Sequence, residues 1–202
     1  MRWTVLVPLR SLPSAKSRLA STVASDLFED LVTAIRADTL AAVHAAGPVA
    51  RVVVVGDRPA DGVTLVQTRR GLNGALRDGA DYARSRWPGE GVAALVGDLP
   101  AVRADEIAAA LDAASAHPAA FVPDGPGTGT TLLTARPGCE LEPLFGEGSA
   151  ARHATVATRL DAGPGLRHDV DTADDLAAAA RVGLGRHTRT VVDRDGALPR
   201  SG

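Results

Sequence analysis

The sequence predicts a single α/β domain built around a largely parallel sheet. Short β-rich runs alternate with longer segments of helical spacing, and the run at residues 91–97, GVAALVG, is apolar throughout. A strand that is apolar on both faces must be covered on both faces, which is typical of parallel sheets flanked by helices. Such sheets bind ligands beyond the carboxyl ends of their strands. The chain of 202 residues, 45% apolar and 23% charged, is long enough to bury one full core.

The elements follow from hydrophobic periodicity. The predicted strands lie at residues 3–7, 51–55, 63–66, 92–96 and 119–122. The clearest helix spans about 25–46 and stops at Gly47-Pro48, and further helices are expected near 73–87, 103–116 and 172–182. Thr172 and Asp175 have the spacing of a capping box at the start of the last helix.

Two segments break this pattern. Residues 123–131, PDGPGTGTT, hold too much Gly and Pro for a strand or helix interior and predict a shaped loop. From about residue 184 the chain is rich in Arg, Gly and Asp and poor in apolar residues, which predicts a mobile C-terminal tail over 184–202 after a domain spanning 1–183.

Composition narrows the function classes. Aromatic residues make up only 3% of the chain and the net charge is -2, which argues against nucleic acid as a partner and favours a small molecule. The single cysteine, Cys139, excludes an intrachain disulfide, and the five histidines have no ligand-like pairing. The chain opens directly on a strand-like run without a signal-type segment, and no run is long enough to span a membrane, so we expect a cytoplasmic protein.

A basic loop follows the first strand. The segment at residues 7–20, VPLRSLPSAKSRLA, carries Arg10, Lys16 and Arg18 among small residues. Backbone amides and cations in a strand-to-helix loop can bind the phosphates of a nucleotide, although the spacing is neither GxxxxGK[ST] nor GxGxxG. The alternative is a solvated helix start.

Acidic residues stand at two further places. Asp98 directly follows the apolar strand, where it could bind a metal or merely cap the next turn. In HDVDT, residues 168–172, the period of two places Asp169 and Asp171 on one face of an expected short strand. Paired carboxylates repel unless a cation lies between them, so a divalent metal is the functional hypothesis and turn capping the structural one.

Three more segments carry candidate ligand contacts. Asn73 lies at an expected helix start, as an ordinary N-cap or as a contact to a base or ribose. GTGTT at 127–131 and FGEGSAARH at 145–153 combine glycines with hydroxyls, which suits a phosphate or carboxylate. With the basic loop and the carboxylates, these segments suggest Mg²⁺-dependent nucleotidyl transfer. No nucleophile and base pair is evident, and a phosphate acceptor, already ionised at neutral pH, would need none.

In this order, VPLRSLPSAKSRLA, LVGDLPAV, GTGT, FGEGSAARH and DVDTADDL resemble the 2-phospho-L-lactate or phosphoenolpyruvate guanylyltransferase family (CofC/FbiD) of coenzyme F-420 biosynthesis, over residues 3–183. The resemblance implies a three-layer α/β/α nucleotidyltransferase fold with a mostly parallel mixed sheet, Rossmann-like and similar to the molybdenum-cofactor guanylyltransferases. It also implies GTP as donor, pyrophosphate as leaving group, Mg²⁺ as cofactor, and a monomer or homodimer.

The family pattern also implies roles for individual residues. Thr130, Gly146 and Ser149 would hold the phosphoenolpyruvate-type acceptor, with Thr131 as an alternative to Thr130. Asp98 and Asp169 would bind the metal with Asp171 close by. Lys16 and Arg18 would contact the GTP phosphates, Lys16 and Asp98 would serve catalysis, and Asn73 would lie on the nucleotide side. Arg10 stands where the family often has Lys, and because Arg keeps the charge but changes its geometry, no specific contact is assigned to it.

The acceptor is open at this point. Richness in Ala, Arg and Gly resembles proteins of high-GC actinobacteria, which favours phosphoenolpyruvate over 2-phospho-L-lactate. A guanylyl- or cytidylyltransferase of the same fold acting on 3-phosphoglycerate, a sugar phosphate or the molybdenum cofactor is the alternative among enzymes. A nucleotide-binding module without turnover is the alternative from another class, although two metal-side carboxylates argue against it.

Overall fold

The structure is a computed structural model that describes residues 1–9, 25–59 and 62–195. Within these residues one sheet holds seven strands in the order β3-β2-β1-β4-β6-β5-β7. The strands are β1 (Trp3–Leu9), β2 (Val49–Gly56), β3 (Leu65–Val66), β4 (Gly91–Leu95), β5 (Ala119–Pro123), β6 (Thr130–Ala135) and β7 (Thr158–Arg159). The helices are α1 (Ser25–Ala45), α2 (Gly71–Arg86), α3 (Ala104–Ala114), α4 (Ser149–His153), α5 (Pro164–Arg167), α6 (Ala173–Val182) and α7 (Arg186–Asp195).

Pairing within the sheet is parallel except around β6. Strand β1 runs parallel to β2 on one side and to β4 on the other. Strand β6 is antiparallel to both β4 and β5. The predicted mostly parallel mixed sheet is therefore confirmed, and the ends of β1, β2 and β4 meet at one edge.

Alternate side chains of the central strands pack on opposite faces, which produces the three layers. In β1, Val5 and Val7 join one buried cluster with Leu111 of α3. Leu6 joins the other cluster, together with Leu76 of α2. Both faces are covered, as expected for strands without polar alternation.

Two sequence predictions about local structure are wrong. Residues 168–171 form an irregular connection after α5 rather than a short strand. The expected loop at 123–131 overlaps the first two residues of β6, a strand whose run TTLLTA was not recognised. All six of its side chains are buried, so it lacks the polar alternation that marks a half-buried strand.

The prediction of an unpacked tail is also wrong for residues 186–195, which form α7 against α1. Leu184 and Val192 are buried with Leu31 and Ile35 of α1. The Asp38 carboxylate accepts hydrogen bonds from the backbone amides of His187 and Thr188 at 3.0 and 2.7 Å, which caps the helix from another element. A few apolar contacts and a long-range cap are enough to fix a segment that is polar on average. Residues 196–202 lie outside the described part.

No helix in the described ranges is both long enough and apolar enough to cross a bilayer.

Candidate active site

A cavity of about 550 Å³ opens at the carboxyl ends of β1, β2 and β4. The chain leaves β1 toward β2 and later returns on the other side as β4, which makes this edge a topological switch point. Leu9, Val55 and Gly97 contribute apolar wall, whereas Arg36, Asp57, Asp98 and Asp171 bring charge into it. A Cβ at Gly97 would lie 2.5 Å from Leu9 Cδ2, so a side chain there would force Leu9 to shift.

Asp98 sits at this edge because two backbone contacts fix the turn after β4. The Leu99 amide donates to the Thr39 hydroxyl of α1 at 3.0 Å. The Val170 amide donates to the Asp98 carbonyl at 3.1 Å. The second contact brings the segment of Asp169 and Asp171 against Asp98, so the three predicted metal-side residues meet in the fold although the segment is no strand.

The Asp169 carboxyl is the most perturbed acid of this group. Its pKa is raised to about 7, mainly by burial and then by the negative charges of Asp98, Asp171 and Asp124, in that order of importance. A buried carboxyl among other carboxyls resists ionisation unless a cation compensates. Perturbation of this kind is a common mark of functional sites.

The donor set fits a divalent cation only in part. Among residues 1–9, 25–59 and 62–195, no three His, Cys, Asp or Glu side chains are arranged as a metal site. Mg²⁺ commonly takes one or two carboxylates from the protein and completes its shell with water and substrate phosphates. Asp98 and Asp169 suit that mode, whereas Asp171 as a third ligand has no support in this geometry.

Arg36 of α1 brings positive charge to the same cavity. Burial lowers the pKa of its guanidinium, and the carboxylates of Asp98 and Asp57 oppose that change. Arg36 was not among the predicted site residues, because an arginine within a helical pattern is typical of a solvated helix face. Its position one residue after the buried Ile35 was the only available signal.

The second part of the site is built from β6 and α4. Thr130 begins β6 and is buried, and the Ser149 hydroxyl lies 3.3 Å from its Oγ1. The Thr131 hydroxyl instead donates to the Val122 carbonyl. Of the two threonines, Thr130 is therefore the one beside Ser149. Leu95 of β4 pairs with Leu132 of β6. Continuing that antiparallel register brings Thr130 close to Gly97 and so to the edge that carries Asp98.

Asn73 does not cap a helix as expected, because α2 already begins at Gly71. Its amide instead binds the backbone of Phe145 twice, donating to the carbonyl at 3.1 Å and accepting from the amide at 2.9 Å. The amide group thereby ties α2, which lines the cavity, to the loop that carries Gly146. The Asn73 side-chain nitrogen can donate one more hydrogen bond, and its oxygen can accept one more. The contact of Asn73 with the nucleotide stays a prediction.

The loop from Leu144 to Ser149 is held from several sides. Arg152 donates to the carbonyls of Leu144 and Glu147. Gly146 has φ of 125°, a conformation that favours glycine, which explains why this loop position has no side chain. The peptide groups at Gly146 are thus kept in a fixed orientation beside Ser149.

His153 of α4 was missed by the sequence analysis and lies fully buried beneath this loop. Its Nδ1 is 2.8 Å from Thr130 Oγ1, and its Nε2 accepts a hydrogen bond from the Leu144 amide at 2.9 Å. Burial lowers its pKa to about 4, with a smaller effect of the neighbouring Arg152 charge. The ring is therefore neutral at physiological pH.

The glycine-rich loop between β5 and β6 is shaped by one carboxylate. The Asp124 side chain accepts hydrogen bonds from the amides of Gly127, Thr128 and Gly129 at 2.7, 2.8 and 2.7 Å. The amides of GTGT therefore serve the loop itself rather than pointing at an anion. The sequence signal for this role was the Asp three residues before a glycine, a common turn pattern.

Lys16, Arg18 and Arg10 lie outside the described residues.

An α/β sheet with a cavity at its switch point and clustered carboxylates beside it is compatible with the nucleotidyltransferase class of enzymes. Among solved structures, a protein provisionally described as a nucleotide-diphospho-sugar transferase from Desulfovibrio desulfuricans G20 superposes with a TM-score of 0.74 at 17% identity, covering 98% of this chain and 97% of that one. A 4-diphosphocytidyl-2C-methyl-D-erythritol synthase superposes at 0.57 with 12% identity, over 90% and 97% of the two chains. These likenesses concern the fold.

Sequence comparison gives the family. The chain belongs to the family described as "Guanylyl transferase CofC like", whose pattern matches residues 3–193. A relative from Streptomyces coelicolor named phosphoenolpyruvate guanylyltransferase is 45% identical, covering 96% of this chain and 97% of that protein. A relative of the same name from Salinispora arenicola is 47% identical, over 92% and 91%. The family resemblance stated from the sequence is confirmed, and the chain is a nucleotidyltransferase.

Proposed function

We propose that this protein transfers GMP from GTP to phosphoenolpyruvate and releases pyrophosphate, as a step of coenzyme F-420 biosynthesis. The observation that supports the proposal is that two regions, the proposed half-sites, lie toward the same sheet edge. One is the cavity beside Asp98, and the other is the hydroxyl pair of Thr130 and Ser149. The near full-length similarity to proteins named phosphoenolpyruvate guanylyltransferase supports the choice of substrates.

The nucleotide occupies the cavity at the ends of β1, β2 and β4. Its volume of about 550 Å³ falls within the range of pockets that hold molecules of drug size. Lys16 and Arg18 follow β1 closely in the sequence, and we propose that they contact the triphosphate. Arg36 adds a cation from α1 on the same side.

A divalent cation, proposed as Mg²⁺, is held by Asp98 and Asp169. It would neutralise charge on the triphosphate and on the pyrophosphate that leaves. The chain's own contribution is to keep the Asp98 carboxylate in the cavity lining with the Asp169 carboxyl close enough for the charge of Asp98 to raise its pKa, so a cation there would favour its ionised form. Asp171 lies beside the cavity and adds negative charge to the same place.

Thr130, Ser149 and the backbone amide of Gly146 bind the anionic acceptor. One phosphate oxygen of the acceptor attacks the α-phosphorus of GTP, a new P–O bond forms, and the bond to pyrophosphate breaks. The second pKa of a phosphomonoester is about 6, so the attacking oxygen carries its charge at neutral pH and needs no general base. Positioning and charge compensation then supply the catalysis.

Pyrophosphate release from GTP in the presence of Mg²⁺ tests the proposal. Separate reactions contain phosphoenolpyruvate, 2-phospho-L-lactate, 3-phosphoglycerate, a sugar phosphate or no acceptor. We expect release with phosphoenolpyruvate and a smaller rate with 2-phospho-L-lactate, because pocket shape separates such similar molecules by only about 1 to 3 kcal/mol. Competition between the two at equal concentration, with products resolved by mass, decides the acceptor.

Two variants separate chemistry from binding. Asp98→Asn should abolish release while the fold stays intact, whereas Asp105→Asn, an exposed position on α3, should leave release unchanged. GTP binding without release under every acceptor would indicate a nucleotide-binding module. A dominant product from another acceptor would show that the donor half of the proposal is right and the acceptor half is wrong.

A further inference from the structure

His153 occupies a place that the proposed function leaves unexplained. It is fully buried at the end of α4, directly behind the two hydroxyls proposed to bind the acceptor. Its ring packs edge-on against Phe145, with centroids 5.0 Å apart and an interplanar angle of 72°. Both ring nitrogens have polar neighbours, so the ring has one orientation and a defined hydrogen-bond pattern.

The pattern determines which nitrogen carries the proton. The Leu144 amide can only donate, so Nε2 at 2.9 Å must accept and cannot carry hydrogen. In a neutral ring the proton is then on Nδ1, which faces Thr130 Oγ1 at 2.8 Å and donates to it. The lowered pKa of His153, about 4 because of burial, agrees with a neutral ring.

This assignment has a consequence for the hydroxyl pair. Thr130 and Ser149 share one hydrogen bond at 3.3 Å, which uses one of their two protons. Because Nδ1–H already donates to Thr130, the ring offers no acceptor for the other proton. One hydroxyl proton of the pair therefore remains available to an incoming group.

We propose that His153 is a positioning residue that acts through Thr130: by donating from Nδ1, it directs a hydroxyl proton of the Thr130–Ser149 pair to the anionic group of the acceptor. This inference rests on the proposed acceptor role of that pair. The opposite tautomer would have Nδ1 accept the Thr130 proton and would leave the pair as a hydrogen-bond acceptor. A carboxylate or phosphate, which can only accept, would then lose its donor.

The first test observes the tautomer directly and needs no activity. Two-bond ¹⁵N–¹H correlation spectra of the full-length, ¹⁵N-labelled protein separate the two neutral tautomers and the charged ring. The signal of His153 is assigned by its loss in His153→Asn. We expect the Nδ1–H tautomer at every pH from 6 to 8; an Nε2–H or charged ring in that range overturns the proposal.

The second test is a double-mutant cycle read as KM for the acceptor and KM for GTP. His153→Phe keeps a buried ring without nitrogens and should raise the acceptor KM about tenfold, with the GTP KM unchanged, since a hydrogen bond to a charged group is worth about that factor. His153→Asn places an amide donor near the position of Nδ1 and should recover most of the loss.

Thr130→Val supplies the matched background, because it removes the hydroxyl through which His153 is proposed to act. There, His153→Phe should change the acceptor KM by less than about twofold. An undiminished effect in that background would show that His153 acts by supporting Leu144, and the proposal would be wrong. If the wild-type protein transfers to none of the acceptors, the proposed function and the acceptor role of the pair both fail, whereas the spectra still decide the tautomer.

Discussion

Asp169→Asn should make the protein more stable at pH 8 in the absence of divalent cations, while it abolishes transfer. Asparagine has nearly the shape of aspartic acid but cannot ionise. In the native fold the Asp169 carboxyl is buried among Asp98, Asp171 and Asp124, so its ionised form is unfavourable. Replacing it removes that unfavourable charge and also removes the proposed metal ligand.

The magnitude follows from the pKa, which rises from 3.8 to about 7 on folding. Each unit corresponds to about 1.4 kcal/mol, so the ionised carboxylate lowers the free energy of unfolding by about 4 kcal/mol at most. Neighbouring carboxyls and water relax part of this repulsion, and we expect about 2 kcal/mol. As far as Asp169 is concerned, wild type is most stable below pH 3.8, where this carboxyl is protonated in both states, and it loses this stability as the pH rises toward 7. The stability difference between Asp169→Asn and wild type is therefore small at pH 4.5 and reaches its full value at pH 8.

Thermal unfolding in EDTA at these two pH values measures the effect. For a chain of 202 residues about 2 kcal/mol corresponds to a rise in Tm of about 4 to 8 °C at pH 8. Asp161→Asn, an exposed position nearby, is the control and should shift Tm little at either pH. Added Mg²⁺ should stabilise the wild type and leave Asp169→Asn unchanged, since a ligand stabilises only the state that binds it.

A Tm difference between Asp169→Asn and wild type that is equal at pH 4.5 and pH 8 would refute the reasoning, because it would show that the carboxyl ionises without hindrance in the fold. Equal stabilisation of both proteins by Mg²⁺ would separately refute Asp169 as a ligand.

Three further predictions concern the elements around the site. Asp38→Ala should lower the free energy of unfolding, measured in urea, by about 1 to 2 kcal/mol, because α7 loses its cap. The control Asp30→Ala removes an exposed ion pair between the same two helices and should lower it by less than about 1 kcal/mol. Asn73→Ala should release the loop at Phe145 and raise the acceptor KM about threefold or more with little change in Tm; an unchanged KM would show that the loop holds without it. Gly97→Ala should lower the free energy of unfolding by about 1 to 3 kcal/mol and weaken GTP binding, measured by equilibrium titration. Unchanged stability and unchanged GTP affinity would show that Leu9 of β1 moves aside at little cost.

The fold was predictable because its central strands carry a strong local signal. Runs such as WTVLV and GVAALVG are apolar on both faces, and the helices between them have clear periodicity and stops. The missed elements lack such signals. Strand β6 is buried throughout yet contains three threonines, and α7 is polar on average. Their stability comes from contacts with distant segments. A contact such as that between Asp38 and the Thr188 amide cannot be recognised from the residues next to either one in the sequence.

The site was predictable where chemistry coincides with a strand end or a family pattern. Asp98, Thr130 and Ser149 were selected in this way, and the structure places the two hydroxyls together. Arg36 and His153 were not selected, since each is a single polar residue within a helix and only its packing brings it to the candidate site. The partner of Asn73 was equally hidden, because Phe145 is 72 residues away.

The antiparallel strand β6 explains why the proposed acceptor half-site begins a strand whereas the proposed nucleotide half-site follows strand ends. In a purely parallel sheet, only residues after the strands would reach the ligand edge. Because β6 runs against β4, its first residue, Thr130, comes to the edge that β4 leaves at Leu95. The reversal therefore brings the buried Thr130 hydroxyl to the sheet edge that also carries Asp98. A hydroxyl on a strand, supported from behind by the His153 ring, is held more firmly than one on a loop, which suits a reaction that depends on positioning.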